Sequence, residues 1–278
     1  MTIFQAFLLG IVQGITEFIP VSSTAHLLIG QTILGMPADN VMFSFLVLVQ
    51  LGTILSLIVF FWKDLWKILF ATVSSLKHFW KRDAGKLEWN ARLGWFIIIA
   101  TIPALIFGYL LKSAVEALFK IPLLEAGIRL LITSVVLGLA EWLGKRTRSL
   151  ENMTWLDALI IGIAQVLAVF PGASRSGTTI SAGVVRGLDR PSAARFAFLM
   201  SVPVMLAAGG YQSLDLLKMA GLTAFLPILA VGFITAAVVG WLAIRWLLGY
   251  LNRHSLYVFA AYCALVGIVV LVIHFINK

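Results

Sequence analysis

Two short stretches decide the fold: "FIPVSST" at residues 18–24 and "FPGASRSG" at residues 170–177. Each lies at the centre of a hydrophobic run, residues 3–35 and 155–188, and puts Pro, Gly and hydroxyl side chains where a spanning helix carries almost nothing polar. Around the first, Glu17, Ser22, Ser23, Thr24 and His26 crowd together. A run of about 33 residues is too short for two full spans of about 20 residues, and its polar middle argues against one. Two arms of about 14 residues, rising 1.5 Å per residue, each reach roughly 21 Å. That depth predicts a re-entrant helix–loop–helix whose tip stops inside the bilayer. Non-helical backbone is stable there only when buried in protein or lining a wet cavity.

The rest of the chain fits a membrane setting. Of 278 residues, 61% are hydrophobic and 12% charged, with a mean hydropathy of +1.01. A soluble domain would carry about 25% charged residues. The expected class is an all-α integral membrane protein, a single domain over residues 1–278. Six further runs read as ordinary spans, near residues 40–62, 92–112, 122–144, 196–214, 223–248 and 256–277. Pro103 and Pro203 fall inside two of them, where neighbouring helices re-satisfy the freed carbonyls. Residues 64–80 mix lysines with Trp66, Phe70, Phe79 and Trp80, the pattern of a helix lying in the interface. One cysteine, Cys263, excludes an internal disulfide and a thiolate metal centre. A removable signal peptide is not expected, since no basic residue precedes the first apolar run.

The two broken segments also resemble each other. At an offset of about 152 residues, Gln13 meets Gln165, Phe18 meets Phe170, Ser22 meets Ser174 and Thr24 meets Ser176. Three spans separate the hairpins, an odd number, so the hairpins enter from opposite sides. An inverted-topology repeat with discontinuous helices meeting near the midplane is an established arrangement for a substrate site. The excess of 21 Lys and Arg over 12 Asp and Glu is then loop charge, not a nucleic-acid footprint. Lys63 to Arg92, Lys145 to Arg148, Arg190, Arg195 and Arg253 fall on one side, against Lys112, Lys120, Lys218 and Lys278 on the other. The positive-inside rule places both termini outside, with the first hairpin opening outward and the second inward.

The tips offer phosphate chemistry. After Pro20, Ser22 or Ser23 can cap a new helix whose first-turn N–H groups form an anion site. The second tip supplies Gly172 and Gly177 for close backbone approach, hydroxyls from Ser174, Ser176 and Thr178, and Arg175. Arginine has the side chain best shaped for phosphate oxygens. Deep in a membrane it costs at least about 2.5–3.5 kcal/mol on insertion scales, so an anionic partner is expected. Glu17 can serve as a base or as part of a site for Mg or Ca, which favour oxygen ligands. Ser23 and His26, three apart on a helix, can share a face as an activated nucleophile and its base. Glu17 and Arg175 could instead form a structural ion pair.

"QGITEFIPVSSTAH" at 13–26 and "PGASRSGTTI" at 171–180 resemble the two signature motifs of the undecaprenyl-diphosphate phosphatases, the membrane family linked to bacitracin resistance. The resemblance extends to "VQLGTILSLIVFFW" at 49–62 and "FAFLMSVPVM" at 196–205, hence over essentially the whole chain. It implies six spans and two re-entrant helix pairs in an inverted repeat. It also implies a bacterial cytoplasmic-membrane enzyme whose site faces outward and releases the terminal phosphate of a C55 polyprenyl diphosphate for cell-wall synthesis. By position, Glu17 is the acidic residue, Ser23 the candidate nucleophile, His26 its base or the alternative nucleophile, and Arg175 the diphosphate clamp. Ser22, Ser174 and Ser176 bind phosphate. Gln13 stands where the family accepts Glu or Gln, so a divalent cation (Mg or Ca) held by Glu17 and Gln13 would have one carboxylate.

The implied partners are a polyprenyl diphosphate and the bilayer; association as a homodimer is left open. The rival reading is a lipid-phosphate flippase or secondary transporter using the same midplane site, for which phosphate donors suffice and a nucleophile is superfluous. A channel subunit is disfavoured because no sustained polar stripe lines the other runs.

Overall fold

The computed structural model describes residues 1–36, 40–80, 87–110, 121–168, 173–216 and 222–276. Phe170 and Gly172 of the second tip lie outside these residues. The described chain is helical, with a 3-10 turn at Leu150–Asn152 and no strand among the described residues beyond an isolated bridge between Arg148 and Leu188.

The first hydrophobic run breaks as its sequence predicts. Helix α1 (Ile3–Phe18) starts at Thr2, whose hydroxyl accepts from the Gln5 amide while the Gln5 side chain accepts from the Thr2 N–H. This reciprocal capping box satisfies two of the helix's free donors. The chain turns at Ile19–Ser22 and continues as α2 (Ser23–Ile33). The second run repeats the plan. Helix α7 (Trp155–Leu167) opens on a capping box between Thr154 and Asp157, at the same offset of about 152 residues. Helix α8 (Arg175–Val185) follows, with Ser174 at its N-cap. Ser22 and Ser174, paired in the sequence, therefore occupy equivalent cap positions.

Between and after the hairpins run α3 (Asn40–Phe60), α4 (Trp62–Trp80), α5 (Trp89–Leu110), α6 (Pro122–Leu143), α9 (Arg190–Leu216), α10 (Leu222–Leu251) and α11 (Tyr257–Ile276). Among the described residues, five helices are long and apolar enough to cross a membrane: those at 89–110, 122–143, 190–210, 225–251 and 257–276. The sixth expected span, 40–62, coincides with α3, whose described apolar part Leu48–Phe60 is shorter. Helix α4 is amphipathic. Thr72 and Ser75 are buried on its α5 side, where the Trp95 indole donates to Ser75, while Trp62, Trp66, Leu69 and Phe70 are exposed.

Packing shows matched pairs of helices. α1 lies against α10, and α7 lies against α5; α3 meets α10, and α9 meets α5. The central pairs α3–α9 and α6–α11 join the two halves. Small residues permit the closest of these approaches. A Cβ on Gly10 would lie 2.8 Å from the Gly232 carbonyl oxygen, and one on Gly162 would lie 2.5 Å from that of Ala100. Both distances are too short for any side chain, so glycine sets how closely α1 and α7 seat.

Basic residues gather at one end with buried carboxylates. Asp157, fully buried, bonds Arg148 and Arg186 at 2.7 Å each. Glu141 pairs with Arg146 and Arg190 and accepts from the Leu256 N–H. Arg195 reaches Asp64 at 2.7 Å. Burial raises the Asp157 pKa, but hydrogen bonds from Arg148, Thr154 and Arg186 outweigh it and hold the carboxyl at about 2.

Candidate active site

The two tips meet. Arg175, first residue of α8, donates from Nη2 to Glu17 Oε1 at 2.5 Å, linking the last turn of α1 to the opening turn of α8. The Glu17 side chain is 3% exposed and that of Arg175 17%. The other carboxylate oxygen, Oε2, accepts from Ser23 Oγ at 2.7 Å and from Gln13 Nε2 at 2.9 Å. Gln13 lies one helical turn before Glu17 and also reaches Thr53 Oγ1 of α3 at 3.5 Å. One carboxylate thus gathers a guanidinium, a hydroxyl and an amide from three elements. Phe18 fixes the end of α1: fully buried, it packs edge-on against Phe198 of α9, with ring centroids 5.5 Å apart.

The start of α2 departs from the expected cap. Ser22 occupies the N-cap position with φ 68° and ψ 92°, and its side chain makes no capping bond. A non-glycine residue in such backbone costs on the order of 1–3 kcal/mol and marks functional sites. The consequence is chemical: among the described residues no side chain caps the first turn of α2, so its amides and helix dipole are placed to meet an anion. Ser23, the alternative cap, is instead the first residue of the helix, and its hydroxyl serves Glu17.

The three-residue spacing predicts a Ser23–His26 pair, but the hydrogen bonds of the two side chains go elsewhere. The Nδ1 of His26 bonds the Ser22 carbonyl oxygen one turn back at 2.9 Å, and its Nε2 meets the Tyr262 hydroxyl of α11 at 2.8 Å. The imidazole lies parallel to the Tyr262 ring, with an interplanar angle of 8°. Both ring nitrogens are engaged away from Ser23, and the group that its hydroxyl meets is the Glu17 carboxylate.

The second tip is tightly bonded. Ser174 Oγ accepts from the Gly177 N–H at 3.1 Å and lies 3.1 Å from Ser176 Oγ; the Ser174 N–H donates to Thr133 Oγ1 of α6. Thr178 donates to the carbonyls of Ser174 and Arg175 at 3.0 Å, so its hydroxyl hydrogen serves the helix. Ser174, Ser176 and Thr178 are all buried. A Cβ on Gly177 would lie 3.0 Å from that of Ser174. Thr53, Thr133 and Tyr262 lie outside both broken segments and so are not singled out by sequence: each belongs to a distant apolar span, Thr53 within the stretch at 49–62.

For a divalent cation, Glu17 and the Ser23 hydroxyl are in direct contact, Gln13 meets Glu17 through its amide nitrogen, and Thr53 lies behind Gln13. Among the described residues no three His, Cys, Asp or Glu side chains cluster to hold a metal. A hard ion such as Mg, which favours oxygen ligands, would have to complete its shell here with phosphate oxygens and water.

A family model described as "Bacitracin resistance protein BacA" matches residues 6–269. The chain belongs to that family. It is 40% identical over 275 residues to an undecaprenyl-diphosphatase of Mycobacterium sp. (strain KMS), covering 98% of this chain and 97% of the relative. Undecaprenyl-diphosphatases of Mycolicibacterium smegmatis and Chloroherpeton thalassium are 41% and 39% identical, each covering 98% of this chain and 96% of the relative. Membership in the family spans both tips, so Glu17, Ser23 and Arg175 meet inside the matched region.

Proposed function

We propose that this chain hydrolyses undecaprenyl diphosphate to undecaprenyl phosphate and inorganic phosphate at the junction of its two hairpin tips, and so supports bacitracin resistance. The observation that carries the reading is the Glu17 carboxylate, bonded at once to Ser23 of its own hairpin and to Arg175 of the other. The site holds a nucleophile, a base and a phosphate-binding cation within a hydrophobic, helical protein. The names of the full-length relatives point to the same substrate.

The chemistry follows from these contacts. Arg175 bonds Glu17 through Nη2, and a guanidinium carries five N–H donors, so donors remain for the diphosphate. The uncapped first turn of α2 adds amide donors. Ser23 attacks the terminal phosphorus, and its proton passes to Glu17 across the 2.7 Å contact. The bond from phosphorus to the bridging oxygen breaks and the lipid monophosphate leaves. The lipid monophosphate takes the Glu17 proton as it leaves. Water then attacks the Ser23-bound phosphorus and gives a proton to the freed Glu17 carboxylate. Glu17 passes it to Ser23 Oγ as that phosphorus–oxygen bond breaks and inorganic phosphate departs. A divalent cation held by Glu17 and Gln13 would neutralise phosphate charge. Because Gln13 supplies no charge, Glu17 carries the acid–base work alone.

The finer architecture is part of this reading: six spans and two re-entrant hairpins in an inverted-topology repeat. The matched capping boxes at Thr2 and Thr154, the equivalent caps at Ser22 and Ser174, and the exchanged packing of α1–α10 and α7–α5 support it. Both termini and the mouth of the site face the outside of the bacterial cytoplasmic membrane. The gathering of Arg146, Arg148, Arg186, Arg190 and Arg195 at one end supports that orientation. The lipid tail lies between helices while the head group reaches Arg175.

Purified protein in detergent, supplied with undecaprenyl diphosphate, should release inorganic phosphate in repeated turnovers. A flippase or transporter would bind or move the lipid and leave it intact, and absence of released phosphate would overturn the enzymatic reading.

A further inference from the structure

His26 is held at both ring nitrogens, and one of its partners belongs to the last helix of the chain. The Ser22 carbonyl oxygen facing Nδ1 can only accept, so Nδ1 carries the proton in the neutral ring. Nε2 then holds the lone pair, and the Tyr262 hydroxyl 2.8 Å away donates to it. The parallel rings set the imidazole plane, while the Ser22 carbonyl sets its tautomer. The turn of α11 bearing Tyr262 is itself anchored: Ser134 of α6 donates to the Ala260 carbonyl at 2.7 Å, and neighbouring Cys263 is fully buried. Helix α2 packs on α6, and α6 on α11, so the three helices form one support under His26.

We propose that Tyr262 is a positioning residue for the hydrolytic reaction: by donating to Nε2 of the Nδ1–H tautomer that the Ser22 carbonyl imposes, it holds the His26 ring in place and thereby orients the start of α2. This inference rests on the hydrolytic reading above. Its effect reaches the diphosphate through α2, since the His26 Nδ1 bond holds the Ser22 carbonyl, and Ser22 is the strained residue that leaves the first turn uncapped. Without the phenol, Nε2 loses its donor and the ring is held by its Nδ1 bond alone. The Ser22–Ser23 backbone then loses part of its restraint. Glu17, Arg175 and Gln13 keep their mutual bonds, because none of them touches Tyr262.

Tyr262→Phe tests this, since it keeps the stacked ring and removes the hydroxyl. In protein carrying ¹⁵N-histidine, with the His26 signals assigned by their loss in His26→Gln, the wild type should show a protonated Nδ1 and an unprotonated, hydrogen-bonded Nε2. In Tyr262→Phe the Nε2 resonance should move toward the position of a free, unbonded imidazole nitrogen. The kcat for undecaprenyl diphosphate should fall about two- to tenfold, the range carried by one neutral hydrogen bond, with KM nearly unchanged. An unchanged His26 spectrum overturns the proposal, and so does a shifted spectrum with unchanged kcat. The nitrogen spectrum is read without turnover, so an inactive wild type would defeat the hydrolytic reading while leaving the tautomer assignment to stand or fall separately.

Discussion

Glu17 and Arg175 are separated by 158 positions in the chain, yet Oε1 of one and Nη2 of the other lie 2.5 Å apart. They come from hairpins built to one plan, each opened by a threonine capping box and each broken before a serine cap. The pair is nearly buried, so neither charge can be removed without consequence for the other.

Arg175→Ala should therefore act twice. Loss of the phosphate-binding guanidinium lowers kcat/KM by about 10²–10³-fold, the scale for deleting one preorganised donor to a developing charge. It also leaves Glu17 buried and unpaired, at a cost of about 3–5 kcal/mol. Arg175→Lys should restore little of the rate, because a lysine lacks the planar fork. Phosphate release and thermal unfolding in detergent measure the two effects separately.

The glutamine at position 13 makes a prediction about cations. Gln13→Glu places a second carboxylate beside Glu17 and should lower the Mg concentration needed for half-maximal phosphate release several-fold, since carboxylate count tunes hard-cation affinity. Titrating metal into chelator-treated wild type and variant decides the matter. Equal midpoints would remove Gln13 from the cation's surroundings.

Gly10 and Gly162 should be intolerant of a methyl group. Each alanine would press against a backbone oxygen, Gly232 or Ala100, at 2.8 or 2.5 Å. Overpacking of this kind costs about 1–3 kcal/mol. Gly10→Ala and Gly162→Ala should both melt several degrees below the wild type, whereas Gly138→Ala, where a Cβ would meet nothing within 4 Å, should not.

Asp157 gives a pH dependence away from the site. Its folded pKa of about 2 lies below the ordinary 3.8, so its stabilisation is complete above the ordinary value and is lost as pH falls toward 2. Asp157→Asn should lower the melting temperature at pH 7, and the gap from wild type should narrow between pH 4 and pH 2. A gap that stays constant over that range would mean that ionisation of Asp157 contributes nothing.

Much of this was legible because broken periodicity is a local signal. Pro20 and the hydroxyls after it mark a helix end within three residues, and the structure ends α1 at Phe18 and starts α2 at Ser23. The offset joining Gln13 to Gln165 also aligned the two caps. Partner choice was less visible. Spacing put Ser23 near His26, but the positive φ at Ser22 turns the chain so that Ser23 reaches back to Glu17 while His26 bonds the carbonyl behind it. Tyr262, 236 positions from His26, carries no local mark at all. Hydroxyls such as Thr178 also read as donors to a ligand, although a helix can absorb them into its own carbonyls.

The central claim is that Glu17 and Arg175 act as one unit joining two halves of the protein. A double-mutant cycle with Glu17→Gln and Arg175→Gln, read as melting temperature in detergent, tests it most directly. Each single change strands a buried partner, so the double variant should melt well above the value obtained by adding the two losses. Strictly additive losses would mean that the two tips do not meet, and would contradict the account.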